Sequence, residues 1–329
     1  MVPVCSSRDA QSLCDLGNVE LYCGYVPTWL AECHSNGSLL ESSVNNRLRI
    51  SDNVTDYDEL AQIANIAEQA GSDVFVALNS RTYSRRQLLE MPRYLDELIS
   101  ANVRNVIVSD LNLINLLSHR YPEMSITISC LAQVTNTESV RFYKALGNVR
   151  RFVVPRHMSV GEVKLMAENN RDVDFEVFVF SNKCLFDDGF CRAKHEAGQI
   201  CRQRFGRQHV SLAGMLSPKD VVNREENASA YLLWTSDYTK HNYGAFRCNH
   251  FACSACAVES LSELPNMAAL KLSIRGHGIA ELIAQASLSN KVIGIAERGD
   301  GCEMIRNEVC SSLNCPNLCA EGFNCLMRS

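Results

Sequence analysis

A chain of 329 residues, 46% hydrophobic and 21% charged, has the composition of a folded protein with enough core for one large α/β domain or two small ones. Its formal net charge of −5 argues against a general nucleic-acid binder, and no apolar run reaches the length of a membrane span. The N-terminal residues lack a basic stretch followed by an apolar core, so the 16 cysteines are expected to serve a metal or redox role in the cytoplasm rather than extracellular disulfides.

Strands and helices alternate along the chain. Val19 to Gly24 reads as an early strand. Thr55 to Asp58 resembles a helix start, with Leu60, Ile63, Ile66 and Ala67 on one face and Gly71 as the stop. Val74 to Leu78 reads as a buried strand, and a helix through Tyr94, Leu95, Leu98 and Ile99 follows, with Pro92 expected in its first turn. Val106 to Val108 and Ile126 to Ser129 are the next strands, and Thr135 or Asn136 caps a helix stopped at Gly147. Phe152 to Val154 is a strand closed by Pro155-Arg156, and Ser159 with Glu162 forms a capping-box pattern. The apolar run Phe175 to Phe180 comes next. Beyond residue 201 the rhythm weakens, with Tyr231 to Trp234 as a probable strand; it returns at Leu270 to Ile274 and in a helix through Leu282, Ile283 and Ala286.

Continuous apolar strands in this β-α order point to a parallel sheet covered on both faces. No G-x-G-x-x-G motif follows the first strand, which disfavours a dinucleotide-binding open sheet. The expected fold is a TIM-barrel-like (β/α) barrel over 1–295 with a loop-rich, cysteine-containing insertion, the candidate metal loops at 184–256, and a short cysteine-rich tail at 296–329.

Cys184 and Cys191 follow the 175–180 strand and flank the polar turn Phe186-Asp187-Asp188-Gly189, where a barrel enzyme places its chemistry. With Cys201 and Cys248 they make four candidate thiolate ligands, for an iron–sulfur cluster or zinc; ligands drawn from separate loops favour the cluster. Cys253 and Cys256 form a tight pair that could exchange into this set or act in redox chemistry, and Cys302, Cys310, Cys315, Cys319 and Cys325 punctuate the tail.

The stretch from Ile128 to Cys191 resembles the peptidase U32 family. The resemblance is carried by Thr135-Asn136 with Glu138, Phe142-Tyr143, Val154-Pro155-Arg156, Ser159, Val163, Glu176-Val177-Phe178 and the Cys184/Cys191 spacing. Further on, Gly198 to Cys201, Asn242-Tyr243-Gly244 before Cys248, and Lys271 to Gly276 are similar to later family segments. The chain departs from the family at Leu131, where glutamine is usual, and in the middle of the Lys271–Gly276 signature.

The resemblance implies a [4Fe–4S] cluster on Cys184, Cys191, Cys201 and Cys248, and an enzyme that hydroxylates an aromatic or other organic substrate without dioxygen, with prephenate as the oxygen donor. The substrate would be a small or carrier-bound molecule. In size the chain is similar to the ubiquinone-pathway anaerobic hydroxylase subunits, so a homologous partner subunit, or a non-catalytic iron–sulfur role beside one, is also implied; a peptidase is the remoter alternative.

Three residues complete the expected site. Glu176 interrupts an apolar strand, so it must be paired or face a polar cavity; it would handle a proton or orient substrate, or else form a structural salt bridge with Arg156. Arg156 ends the preceding strand, and Arg47 resembles a family arginine after the first strand; their guanidinium forks suit a dicarboxylate.

Overall fold

Most strands form where apolar runs are bounded by polar or turn-forming residues, and six of the helices start where a short polar side chain caps them. The computed structural model describes residues 1–33, 44–46, 52–182, 189, 217–223, 225–226, 229, 251–273, 278–313 and 327. Their contacts divide the chain into two units, Met1–Cys191 with Phe251–Ser329, and Arg192–His250. Of the second unit only a short helical stretch at 218–223 and a few further residues are described.

The first unit is a barrel. In chain order come β1 (Val2–Pro3), α1 (Ser7–Cys14), β2 (Leu21–Cys23), α2 (Thr28–Cys33), α3 (Tyr57–Gln69), β3 (Val74–Leu78), α4 (Arg85–Ser100), β4 (Asn105–Val108) and α5 (Leu111–Arg120). These are followed by β5 (Ser125–Ile128), a 3-10 turn (Cys130–Ala132), α6 (Thr137–Lys144), β6 (Val149–Val153), α7 (Val160–Glu168) and β7 (Asp174–Asn182). After the second unit the chain returns as β8 (Phe251–Cys253), α8 (Ala257–Ser262), β9 (Met267–Leu272), α9 (Ile279–Arg298) and α10 (Cys302–Ser312).

Strands β1 to β7 pair in sequence order, all parallel, and β9 adds parallel to β7, giving eight parallel strands in a nearly closed barrel. Met1 ties β9 back to β1: its nitrogen donates to Leu270 O at 2.6 Å, and Leu272 N donates to Met1 O at 3.0 Å. The short β8 runs antiparallel to the last residues of β7, with Phe180 opposite Cys253. A register shift at Phe178/Phe180 frees β7 to make both sets of bonds.

The caps show why these segments become helices. Asp56 accepts from Glu59 N at the start of α3, Asn136 from Ser139 N at the start of α6, and Ser159 with Glu162 completes a capping box at α7. Gly71 at φ +66 ends the turn after α3 in a conformation that a side chain would strain.

One expectation is corrected. Pro92 does not sit in the first turn of its helix: α4 begins at Arg85, under a capping box made by Ser84 and Gln87, and Pro92 lies in its interior. The buried face of Gln87, Met91, Tyr94, Leu95 and Leu98 holds that helix together despite the missing N–H. The boundary expected at 296 falls within a helix. Helix α9 runs through that boundary, and α10 packs beside it with Ile305 and Val309 buried. The expected strand at 231–234 lies outside the described residues.

Candidate functional site at the mouth of the barrel

Side chains alternate along a strand, and residues paired across parallel strands face the same way. The register therefore sorts the barrel's inward positions into levels. Arg151 of β6 lies 5.0 Å over the Phe75 ring of β3, a contact that spans the interior and fixes which residues point inward.

The lower level is a network of charges. Arg151 holds Glu20 in a two-pronged bond, Nη1 to Oε2 at 2.7 Å and Nη2 to Oε1 at 2.8 Å. The same Nη1 lies 3.5 Å from Glu176 Oε2, and Lys271 Nζ donates to Glu176 Oε1 at 2.5 Å. Lys271 also sits 4.3 Å over the Tyr22 ring, whose hydroxyl bonds Leu272 O at 2.9 Å. Glu176 is fully buried. Burial works to raise its pKa, but Lys271 and Arg151 outweigh that and hold the carboxyl below the ordinary range. For Arg151 burial works to lower the pKa, while Glu20 and Glu176 raise it further, so the guanidinium stays charged.

The upper level differs. Asn79, Ser109 and Ser129 each follow directly on β3, β4 and β5, at positions that continue the pairings Leu78–Val108 and Val108–Ile128 by one residue. Asn79 Nδ2 reaches Ser129 Oγ at 3.5 Å, bridging across the end of β4. On the other side of the mouth Ser181 of β7 and Ser273 beyond β9 share a hydroxyl–hydroxyl bond, and Arg156 Nη1 donates to Ser181 Oγ at 3.2 Å. The inward positions at the strands' C-terminal ends thus carry small hydroxyls, one amide and one arginine. This is the end at which barrel enzymes build their sites.

The structure separates the residues that were expected to share one site. Glu176 is not paired with Arg156; its partners are Arg151 and Lys271. Ser181, the residue Arg156 bonds, lies five positions along β7 from Glu176, roughly 16 Å. Arg156 therefore belongs to the mouth, where its guanidinium also lies 5.5 Å from the Phe178 ring, and Glu176 to the lower interior. The expected salt bridge picked the wrong cation because Lys271 arrives from a strand 95 residues away.

Arg47, Cys184, Cys191, Cys201 and Cys248 lie outside the described residues, as do Arg275 and His277. Gly189, between the first two of those cysteines in the sequence, is described. It packs so closely on the rim after β5 that a methyl group there would stand 1.9 Å from Gln133 Cγ. Cys253 is buried at the end of β8, and Cys256 Sγ lies 4.0 Å from Cys302 O. Among the described residues no three metal-binding side chains gather.

The residues missed at the sequence level are Asn79, Ser109, Ser129, Ser181 and Ser273. For Asn79, Ser109, Ser129 and Ser273 the available signal was their position, just past an apolar run and in phase with its inward face; Ser181 is five positions from the inward Glu176 and out of that phase, across the register shift at Phe178/Phe180. A cavity of about 310 Å³ opens at the opposite end of the barrel, lined by Glu20, Asp73, Ala268 to Leu270, Ser289 and Asn290. It gathers backbone and small side chains around a Glu20 already committed to Arg151, so the mouth remains the better candidate.

Comparison with known proteins gives three findings. The sequence model of peptidase family U32 matches residues 16–311. The tRNA hydroxylation protein P of Escherichia coli (strain K12) is 27% identical over 144 residues, covering 44% of this chain and 31% of that protein. The tRNA hydroxylation protein P1 of Bacillus subtilis (strain 168) is 28% identical over 192 residues, covering 52% of this chain and 44% of that protein. The chain thus spans less than half the length of these relatives. A solved structure described as that of the U32 peptidase Mk0906 overlays 55% of this chain and 68% of its own, at 16% identity and a TM-score of 0.42.

Proposed function

The chain belongs to peptidase family U32, and from that premise we propose that it is an iron–sulfur hydroxylase, independent of dioxygen, whose organic substrate is a base carried on tRNA. The observation that carries the reading is the polar mouth of Asn79, Ser129, Arg156, Ser181 and Ser273 at the C-terminal rim, at the point where β7 runs toward the cysteine-bearing segment. The names of the relatives support the hydroxylation and the RNA-borne substrate, against the expectation from net charge.

The cluster would be held by Cys184, Cys191, Cys201 and Cys248. Four thiolates are the donor set such a cluster takes, and β7 ends two residues before Cys184. When bound it would supply one-electron transfer. Arg156 would hold an anionic oxygen donor of the prephenate type by its guanidinium fork, with Ser181 orienting that fork. The small side chains around it would leave room for the substrate ring and offer hydroxyls to its polar atoms. No nucleophile–base–orienter arrangement for proteolysis is found among the described residues.

The test is anaerobic purification with iron and sulfide analysis, followed by incubation with bulk tRNA, a reductant and prephenate, and mass spectrometry of the digested nucleosides. About four irons per chain and a nucleoside gaining one oxygen are expected. Cys191→Ala should lose the iron. Full iron in that variant overturns the ligand set; an unmodified tRNA pool with iron-replete protein overturns the substrate.

A further inference from the structure

Among the described residues, Ser109 at the mouth of the barrel has a buried hydroxyl without a partner. Ser109 is 9% exposed, and its Oγ is buried without a hydrogen bond. Buried polar atoms in native proteins are almost always satisfied, so an orphan hydroxyl marks a place where a ligand or a water completes the structure. Its neighbours narrow the choice. The pairings put Asn79, Ser109 and Ser129 side by side at one level, and the Asn79–Ser129 bond bridges the end of β4 where Ser109 sits.

The hydrogen-bonding inventory of the three is unequal. Asn79 Oδ1 accepts from Asn46 N at 3.0 Å, and Asn79 Nδ2 turns one hydrogen toward Ser129. Ser129 Oγ accepts from Asn79 Nδ2 and from Leu131 N at 3.3 Å, so both of its lone-pair sites are used and its own O–H remains to donate. Ser109 contributes one donor and two acceptor sites, all uncommitted. This side of the mouth therefore offers two hydroxyl donors beside an acceptor, with no net charge on the three side chains. The side formed by β6, β7 and β9 carries the cation Arg156. Neighbouring donors and an acceptor without charge fit the edge of a heteroaromatic ring that presents carbonyl and N–H groups; a cation fits an anionic group.

We propose that Ser109, with Ser129 beside it and Asn79 positioning Ser129, is the specificity-determining element of the site and recognises the uncharged carbonyl and N–H edge of the substrate ring, while Arg156 holds an anionic group. The inference rests on the reading of the chain as an enzyme that acts on an RNA base.

The four nucleoside 5′-monophosphates and ribose 5-phosphate serve as probes, with affinities measured by ligand-observed NMR on the full chain. Wild type should bind one base about tenfold or more tighter than ribose 5-phosphate. Ser109→Ala should remove about tenfold of that preference and leave ribose 5-phosphate unchanged. Asn79→Ala should reduce the preference in the same direction, which keeps the test alive if one variant fails to fold. Base preference retained in both Ser109→Ala and Asn79→Ala overturns the assignment, as does wild-type protein that binds the four monophosphates and ribose 5-phosphate equally. Failure of wild type to bind any of the five sinks the RNA-base reading itself, and this role for Ser109 with it.

Discussion

The two ends of the barrel interior use the same kind of position in opposite ways. Below, the inward residues Glu20, Arg151, Glu176 and Lys271 are long and charged, and they satisfy one another. Above, Asn79, Ser109, Ser129, Ser181 and Ser273 are small and neutral, and Ser109 lacks a partner. A barrel core must be filled and its buried charges must be neutralised; the lower level does both from within the chain. The upper level leaves hydrogen-bonding capacity at Ser109 that no described residue takes up. Thr127, paired in register with Arg151, also has a buried Oγ1 without a partner, so the contrast between the levels rests on the size and charge of their side chains as well as on Ser109.

The largest expected effect breaks the lower level. Glu176→Gln leaves Lys271 and Arg151 facing a neutral amide, and breaking a buried ion pair costs about 3–5 kcal/mol. Denaturant unfolding should show that loss. A variant that keeps its stability while losing turnover would instead restore the proton-handling role first expected for Glu176.

The same carboxylate gives a pH signature. Its folded pKa lies below the value near 4.3 of an unperturbed glutamate. The unfolded chain then binds the proton more readily, so the contribution of Glu176 is present above about pH 4.3 and is lost as pH falls through the lowered folded value. Unfolding midpoints measured between neutral and acid pH should show this term in wild type and lack it in Glu176→Gln. Parallel pH curves for the two proteins would mean that the charge network does not govern the lower level.

A smaller effect is expected at the rim. Gly189→Ala forces a methyl group against Gln133 Cγ, and overpacking of this kind costs about 1–3 kcal/mol. Gln133→Ala in the same chain should recover most of it, because the collision is with that side chain. Simple addition of the two losses would show that Gly189 and Gln133 do not touch in solution.

The smallest effect sharpens the contrast most. Ser109→Ala deletes a hydroxyl that has no partner in the folded chain, so stability should stay within about 0.5 kcal/mol of wild type or rise. Arg156→Gln removes the bond to Ser181 Oγ, worth about 0.5–1.5 kcal/mol. Large losses in both would make the upper level as structural as the lower.

Much of the architecture was legible because it is written locally. The five residues Val74–Leu78 form β3, the Ser159–Glu162 box opens α7, and the run at 175–180 lies within β7. Helix α4 was misread because Pro92 drew attention away from Ser84 and Gln87, eight and five residues upstream of it in the helix's true cap region. Helix α10 was hidden by its cysteines, although Ile305 and Val309 carry the spacing of a buried helical face. β1 and β8, of two and three residues, are too short to show a period.

What the sequence determined by itself is the alternation of strand and helix, the side-chain caps that open helices such as α3, α6 and α7, and the phase of most strands. That phase already commits Asn79, Ser109 and Ser129 to the same side as the inward residues two positions before them. Which charges meet inside was decided only by the tertiary structure. Glu176 is satisfied by Arg151, 25 residues back, and by Lys271, 95 residues on; Tyr22 bonds Leu272 across 250 residues. Such pairings depend on strand stagger and on closure of β9 onto β1, and neither is encoded in any local window. A strand reports which way its side chains face; only the closed barrel decides what they face.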